Sequence, residues 1–252
     1  MKRSGIVLVL ALVVSVQLCA YPSSKPKKAE KKGEVTQLVD SGSFGVFVNG
    51  QRVATETFQI NQKEGYSVTT SEVKMEDGSK MSQQAELELM SNGDLRKYEW
   101  REVNPGKART TLQPSDTFLV ERLTPQPGEK TSELAFILPP STLVLDDYFF
   151  SHREILLWRY IATACGQSSE KNNCRMEKLQ FGIFIPRQQT PGMVSLEYKG
   201  REKVPIRGTE RELDRFDMTA DGLQWSFWVD WADSYKLQRI LVSTEKTEIV
   251  RD

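Results

Sequence analysis

The chain has 252 residues, with 34 Lys and Arg against 34 Asp and Glu, one His, three Cys and a hydrophobic share of 38%. An even charge balance lacks the basic footprint of a nucleic-acid binder, so no nucleic acid is expected as a partner. A single histidine removes His-rich metal centres and paired-His hydrolase motifs, and neither a metal nor a cofactor is expected.

Lys2 and Arg3 precede an apolar run over 6–14, and the segment closes on Ala20. A short basic start, an apolar stretch too short to cross a bilayer and a small exit residue read as an export signal over 1–20, cut after Ala20. The alternatives are lipid attachment at Cys19 or retention of the segment as an anchor. The expected address is the periplasm, with secretion as the alternative. Residues 21–34 are polar, rich in Lys and Pro, and have nothing to bury, which reads as a disordered linker. Its five lysines offer, as an alternative, peripheral contact with anionic lipid head groups. Residues 35–252 read as one β-rich domain.

Asn49-Gly50 between apolar-alternating runs over 44–48 and 53–60 is a strong hairpin signal. Extended segments over 66–76, 81–90 and 95–103 follow, separated by Asp77-Gly78 and Asn92-Gly93, with shorter ones over 117–123 and 134–138. In the 81–90 segment Ala85, Leu87 and Leu89 alternate with Gln84, Glu86 and Glu88, the period of a strand with one buried and one wet face. Strands joined by tight turns make an antiparallel meander. Pro139-Pro140 stops it, and Asp146 is placed to cap a helix over 147–160. Phe149, Ile155, Leu156 and Tyr160 fall near one face of that helix, with Arg153 and Glu154 away from it. Cys165 and Cys174 then flank a polar, turn-prone loop; in an oxidising compartment they are expected to form a disulfide. Strands resume over 179–185, 193–198, 203–207, 213–218, 223–231, 236–242 and 245–250, punctuated by Pro191-Gly192, Lys199-Gly200 and Asp221-Gly222. The fold class is therefore mainly β: a strongly curved antiparallel sheet, a half-barrel or open barrel, around one central helix.

Motifs for catalysis are sparse. There is no glycine-rich phosphate loop, Gly-x-Ser-x-Gly or EF-hand pattern, and three scattered Ser-x-x-Lys matches lack partner motifs. The densest polar group is Asp146, Asp147, His152, Arg153 and Glu154. Two carboxylates across a groove can cleave glycosides, but Asp146 and Asp147 equally suit a helix start. Leu223, Trp225, Phe227, Val229 and Trp231 alternate onto one strand face with Trp228 on the other, and such rings either fill a core or line an apolar pocket.

The export signal, the meander opening on Asn49-Gly50, the central helix and the second meander ending at Asp252 together resemble the half-barrel periplasmic lipoprotein carriers of the LolA/LolB type. They resemble more closely the uncharacterised exported β-rich families related to those carriers. The resemblance implies an incomplete barrel around an apolar cavity, although the carriers use several helices where this chain has one. The expected function is non-catalytic binding of an apolar or amphipathic, lipid-like ligand, with Leu87, Leu89, Phe149, Trp158, Trp225 and Phe227 as lining residues. One alternative is an envelope scaffold with a filled core that meets a partner protein. A second is a carbohydrate-active hydrolase using Asp146 and Asp147.

Overall fold

The computed structural model describes residues 36–164, 177–220 and 222–252, all within one compact unit, Glu34–Asp252. The expectations for 1–20 and 21–34, and the Cys165–Cys174 disulfide, lie outside the described residues. The first run of strands is β1 (Gln37–Val48), β2 (Gln51–Lys63), β3 (Tyr66–Met75), β4 (Ser82–Met90), β5 (Leu95–Asn104), β6 (Arg109–Ser115), β7 (Phe118–Thr124) and β8 (Ser132–Phe136). The short β9 (Leu143–Val144) and the helix α1 (Ser151–Ala164) follow. The second run is β10 (Lys178–Ile185), β11 (Thr190–Ile206), β12 (Thr209–Ala220), β13 (Leu223–Asp230), β14 (Lys236–Val242) and β15 (Thr247–Arg251).

All fifteen strands share one open sheet, in the order β8-β7-β6-β5-β4-β3-β2-β1-β15-β14-β13-β12-β11-β10-β9. The first and last of these strands therefore meet in its middle, where Phe44–Val48 of β1 pairs antiparallel with Thr247–Arg251 of β15. The pairings are antiparallel except β9 with β10. Asn49 and Gly50 both take positive φ, 52° and 79°, as the two-residue hairpin turn between β1 and β2 demands. The sheet curves: the ring of Phe136 in β8 lies 4.6 Å from that of Phe184 in β10, although the two strands are near opposite ends of the strand order.

The alternation in β4 is as the sequence predicts, with Ala85, Leu87 and Leu89 buried. So is that in β13, where Phe227 and Val229 enter the main core while Trp228 joins Val204, Ile206 and Leu213 in a separate cluster. Several boundaries differ. Lys199-Gly200 is not a turn but a bulge inside one long strand, β11, with the register shifting between Tyr198 and Gly200. Pro191 and Gly192 also pair within β11, opposite Phe184 and Ile183, and the chain turns earlier, over Pro186–Gln188. β6 is an additional strand, whose inward Thr110 and Leu112 alternate over too short a run to stand out.

The helix is corrected in three respects. It starts at Ser151, not at residue 147. Its N-terminus is not capped by Asp146. The backbone N–H of Phe150 and that of Ser151 instead donate to the buried Glu56 carboxylate of β2, at 2.6 and 3.3 Å. Finally, Arg153 and Glu154 do not face water: both are buried, because α1 meets strands on several sides instead of resting a single stripe on one sheet face. The Ser151 hydroxyl meets Ser71 of β3, and Glu154 accepts from Leu237 N–H of β14. Tyr160 meets β11, its hydroxyl oxygen accepting from Tyr198 N–H at 3.1 Å.

Candidate functional site

The last three turns of α1 stand against the β4–β5 turn and, towards the end of the helix, leave an open pocket of about 430 Å³. From the helix come Ile155, Trp158, Arg159, Ala162 and Thr163, which the i, i+3, i+4, i+7, i+8 spacing puts on one face. Leu89 and Met90 at the end of β4, Leu143 of β9 and the turn residues 91–93 supply the opposite wall. The lining is mixed, and its apolar part is contributed by long side chains. The Trp158 indole is half-buried and donates Nε1–H to Tyr235 O at 3.1 Å, which fixes one edge of the ring. Arg159 Nη1 donates to Gly93 O at 2.7 Å and holds the turn onto the helix.

Two of the six residues expected to line a ligand site, Leu89 and Trp158, are in this pocket. Leu87, Phe149 and Phe227 are buried in the main core. Trp225 is partly buried against that core, its ring 5.3 Å from the Arg153 guanidinium and 6.4 Å from Phe227. The six therefore share the inner face of the molecule without forming one cavity wall. Sequence reasoning missed Met90, Leu143 and Arg159. The half-apolar helix stripe from Ile155 to Thr163 was the signal for part of this wall.

A second pocket, about 470 Å³, lies over β2 to β5 and is lined by Thr57, Thr70, Glu72, Gln84, Glu86 and Arg101 among others. Its polar groups engage one another. Arg101 Nε donates to Gln84 at 2.9 Å, and Glu99 accepts ion pairs from Lys97 at 3.1 Å and Arg109 at 2.8 Å.

The polar group before the helix is closed to solvent at its centre. Asp146 is fully buried and accepts from the Tyr98 hydroxyl, from Arg187 Nε at 2.7 Å and from the Asp147 backbone N–H at 2.8 Å. Burial raises its pKa against the pull of Arg187, and burial together with Asp146 pushes the Tyr98 phenol well above its ordinary value. Arg187 also donates to Gln83 at 3.0 Å and to Asp147 O. Asp147 is half-exposed and accepts from Gln188. His152 sits between the rings of Tyr98 and Phe149, at 5.9 and 5.6 Å. Burial, with Arg153 and Arg187 adding to it, drops its pKa to about 3, so the imidazole is neutral. Glu121 on β7 is buried nearby and pushed up to about 7 by burial, with the Gln189 amide working against the shift. Among the described residues, no group of three or more His, Cys, Asp or Glu is arranged to hold a metal ion.

No family model matches the chain, and no curated protein matches it. Among solved structures the chain is similar to a β-barrel-like protein of a domain of unknown function, DUF1849, from Brucella abortus. The two are 11% identical with a TM-score of 0.49, and the match covers 84% of this chain and 94% of that one. It is a likeness at low identity and names no function.

Proposed function

We propose that this is a non-catalytic envelope protein that holds the apolar part of a lipid-like ligand in the pocket at the end of α1, with the curved sheet wrapped around the helix as a half-barrel. The carrying observation is the pocket itself: Leu89, Leu143, Ile155 and Trp158 present apolar surface around an open volume of about 430 Å³. Such sites are concave and largely apolar, with few polar groups to orient the guest. Covering roughly 200 Å² of ligand hydrocarbon would contribute about 5 kcal/mol before ordering costs are subtracted. On its own that corresponds to a dissociation constant no tighter than about 0.2 mM, which fits weak, reversible binding better than a permanent store. Export through residues 1–20, and the lysines of 21–34 against an anionic bilayer, belong to the same proposal.

The scaffold reading has its own support, since Leu87, Phe149 and Phe227 fill the interior and bring no free surface to a ligand. The hydrolase reading has little: Asp146 is buried and already accepts three hydrogen bonds.

Titration with a fluorescent fatty-acid probe separates the first two readings. Binding weakened at least about tenfold by Trp158→Ala or Ile155→Ala, and unchanged by Gln59→Ala in the lining of the second pocket over β2 to β5, is the expected result. Probe binding indifferent to both helix substitutions would remove the end pocket from the account.

A further inference from the structure

Among the described residues, the end pocket carries one formal charge. Its described lining contains Arg159 and no carboxylate, the remaining polar groups being neutral side chains such as Gln62, Ser67 and Asn92. Among the described residues no ion pair neutralises Arg159, whose Nη1 is spent on the Gly93 carbonyl. The nearest acidic residue along the turn, Asp94, is occupied by the Asn92 amide at 2.8 Å. A guanidinium has five N–H donors in a planar fork, so the bond to Gly93 leaves donors to spare and also fixes where the head group stands. That bond matters because it holds the cation in place before any ligand arrives. From Arg159 the apolar wall continues through Ile155 and Trp158 on the helix and Leu143 on β9.

We infer that the pocket is selective for a single-chain anionic amphiphile, a long-chain carboxylate, with the head group on the Arg159 fork and the chain along Ile155, Trp158 and Leu143. This rests on the ligand-binding reading above and adds the sign and position of the ligand's charge. The partial negative charge at the C-terminal end of α1 opposes an anion, but it fades within the last turn. Arg159 lies more than one turn before Ala164, the end of the helix. A charge-assisted bidentate pair is roughly twice as strong as a neutral hydrogen bond, so the guanidinium decides the sign. A cationic amphiphile would bring two positive charges together, and a neutral alcohol would accept from the fork through one uncharged oxygen, without charge assistance or a bidentate pair.

The test compares dodecanoate, dodecanol and dodecylamine by displacement of a bound fluorescent probe from the full chain at neutral pH. Dodecanoate is expected to bind about tenfold tighter than dodecanol, the scale of one charge-assisted hydrogen bond, with dodecylamine weakest. In Arg159→Gln the carboxylate and the alcohol should bind alike, while Arg159→Lys, which keeps the charge and loses the fork, should retain part of the preference. Equal binding of dodecanoate and dodecanol to the unaltered protein would overturn the inference and leave the pocket reading standing. Preference for the carboxylate surviving in Arg159→Gln would do the same. Failure of all three to bind the unaltered protein would instead remove the pocket reading itself.

Discussion

Glu154 illustrates what burial does to a single side chain here. It lies on α1, accepts from Leu237 N–H at 2.9 Å, and has Arg251 Nη1 at 3.4 Å, but its Oε2 accepts no hydrogen bond. Arg251 gives its stronger contacts, both 2.7 Å, to Asp40 of β1, with Lys236 standing 3.7 Å from the same carboxylate. Burial first, and the Asp40 charge second, push Glu154 up to about 8. A folded pKa above the unfolded one means the native state holds the proton more tightly, so stability present at low pH is lost as pH rises between the two values. The free energy of unfolding should therefore fall by up to about 1.4 kcal/mol per pH unit from this group between roughly pH 5 and pH 8. Urea titrations should show the decline most clearly between about pH 6.5 and pH 8, because below that range His152, with its pKa dropped to about 3, works in the opposite sense; Glu154→Gln should flatten it. The flattening is partial because Glu121, pushed up to about 7, acts in the same direction. An unchanged profile in Glu154→Gln would mean that Glu154 does not titrate there. Glu56 makes a different prediction. It accepts from Phe150 N–H, Ser151 N–H and the Ser151 hydroxyl, so Glu56→Ala leaves a buried helix end without an acceptor. That should cost about 3 kcal/mol in urea unfolding, and Glu56→Gln should recover part of it.

At the level of elements, the turn after β10 acts as a fastener. Arg187 reaches from it to Asp146 before the helix and to Gln83 on β4, and its guanidinium lies 5.4 Å from the Trp100 ring. Removing it strands the buried Asp146 carboxylate, and breaking a buried pair from one side costs on the order of 3–5 kcal/mol. Arg187→Ala should therefore lower the unfolding free energy by that amount, and Arg187→Ala with Asp146→Asn by clearly less. Equal losses in the single and double variants would show that the pair is not coupled. The same region marks where the sequence stops being legible. Asn49-Gly50 and the alternation in β4 and β13 are local signals, read from a few neighbouring residues. The cap on α1 comes from Glu56, 94 residues before Phe150, whereas local sequence offers only the adjacent Asp146. Local periodicity places Arg153 and Glu154 toward water because a helix on one sheet face needs a polar back, but here the helix has strands on more than one side. The bulge at Tyr198–Gly200 has the residues of a turn, and only pairing with β12 along its whole length makes it strand.

Across the whole molecule, one open sheet closes its middle with the first and last strands and leaves β8 and β9 as edges. β8 is exposed along most of its length, whereas β1, β2 and β15 meet at the centre and carry Phe44, Phe58 and Ile249 into the core. Hydrogen exchange should accordingly be fastest in β8 and slowest where β1 meets β15; the reverse order would contradict the strand order. The proposed ligand binding depends on this architecture, because the pocket is lined by the last three turns of α1 together with the β4–β5 turn beside them. Leu89 and Trp158 were legible as apolar residues on inward faces. Arg159 was not, because its proposed role depends on being the single charge, among the described residues, in a wall built from β2, β3, β4, β9 and α1. The most direct test is proton–nitrogen NMR of the indole N–H groups of the five tryptophans, assigned by Trp→Phe variants, during titration with dodecanoate. The Trp158 signal should shift and saturate, while that of Trp228, held by Glu202 in the separate cluster, stays in place. A titration that leaves Trp158 unmoved, or moves Trp228 to the same degree, would contradict the account.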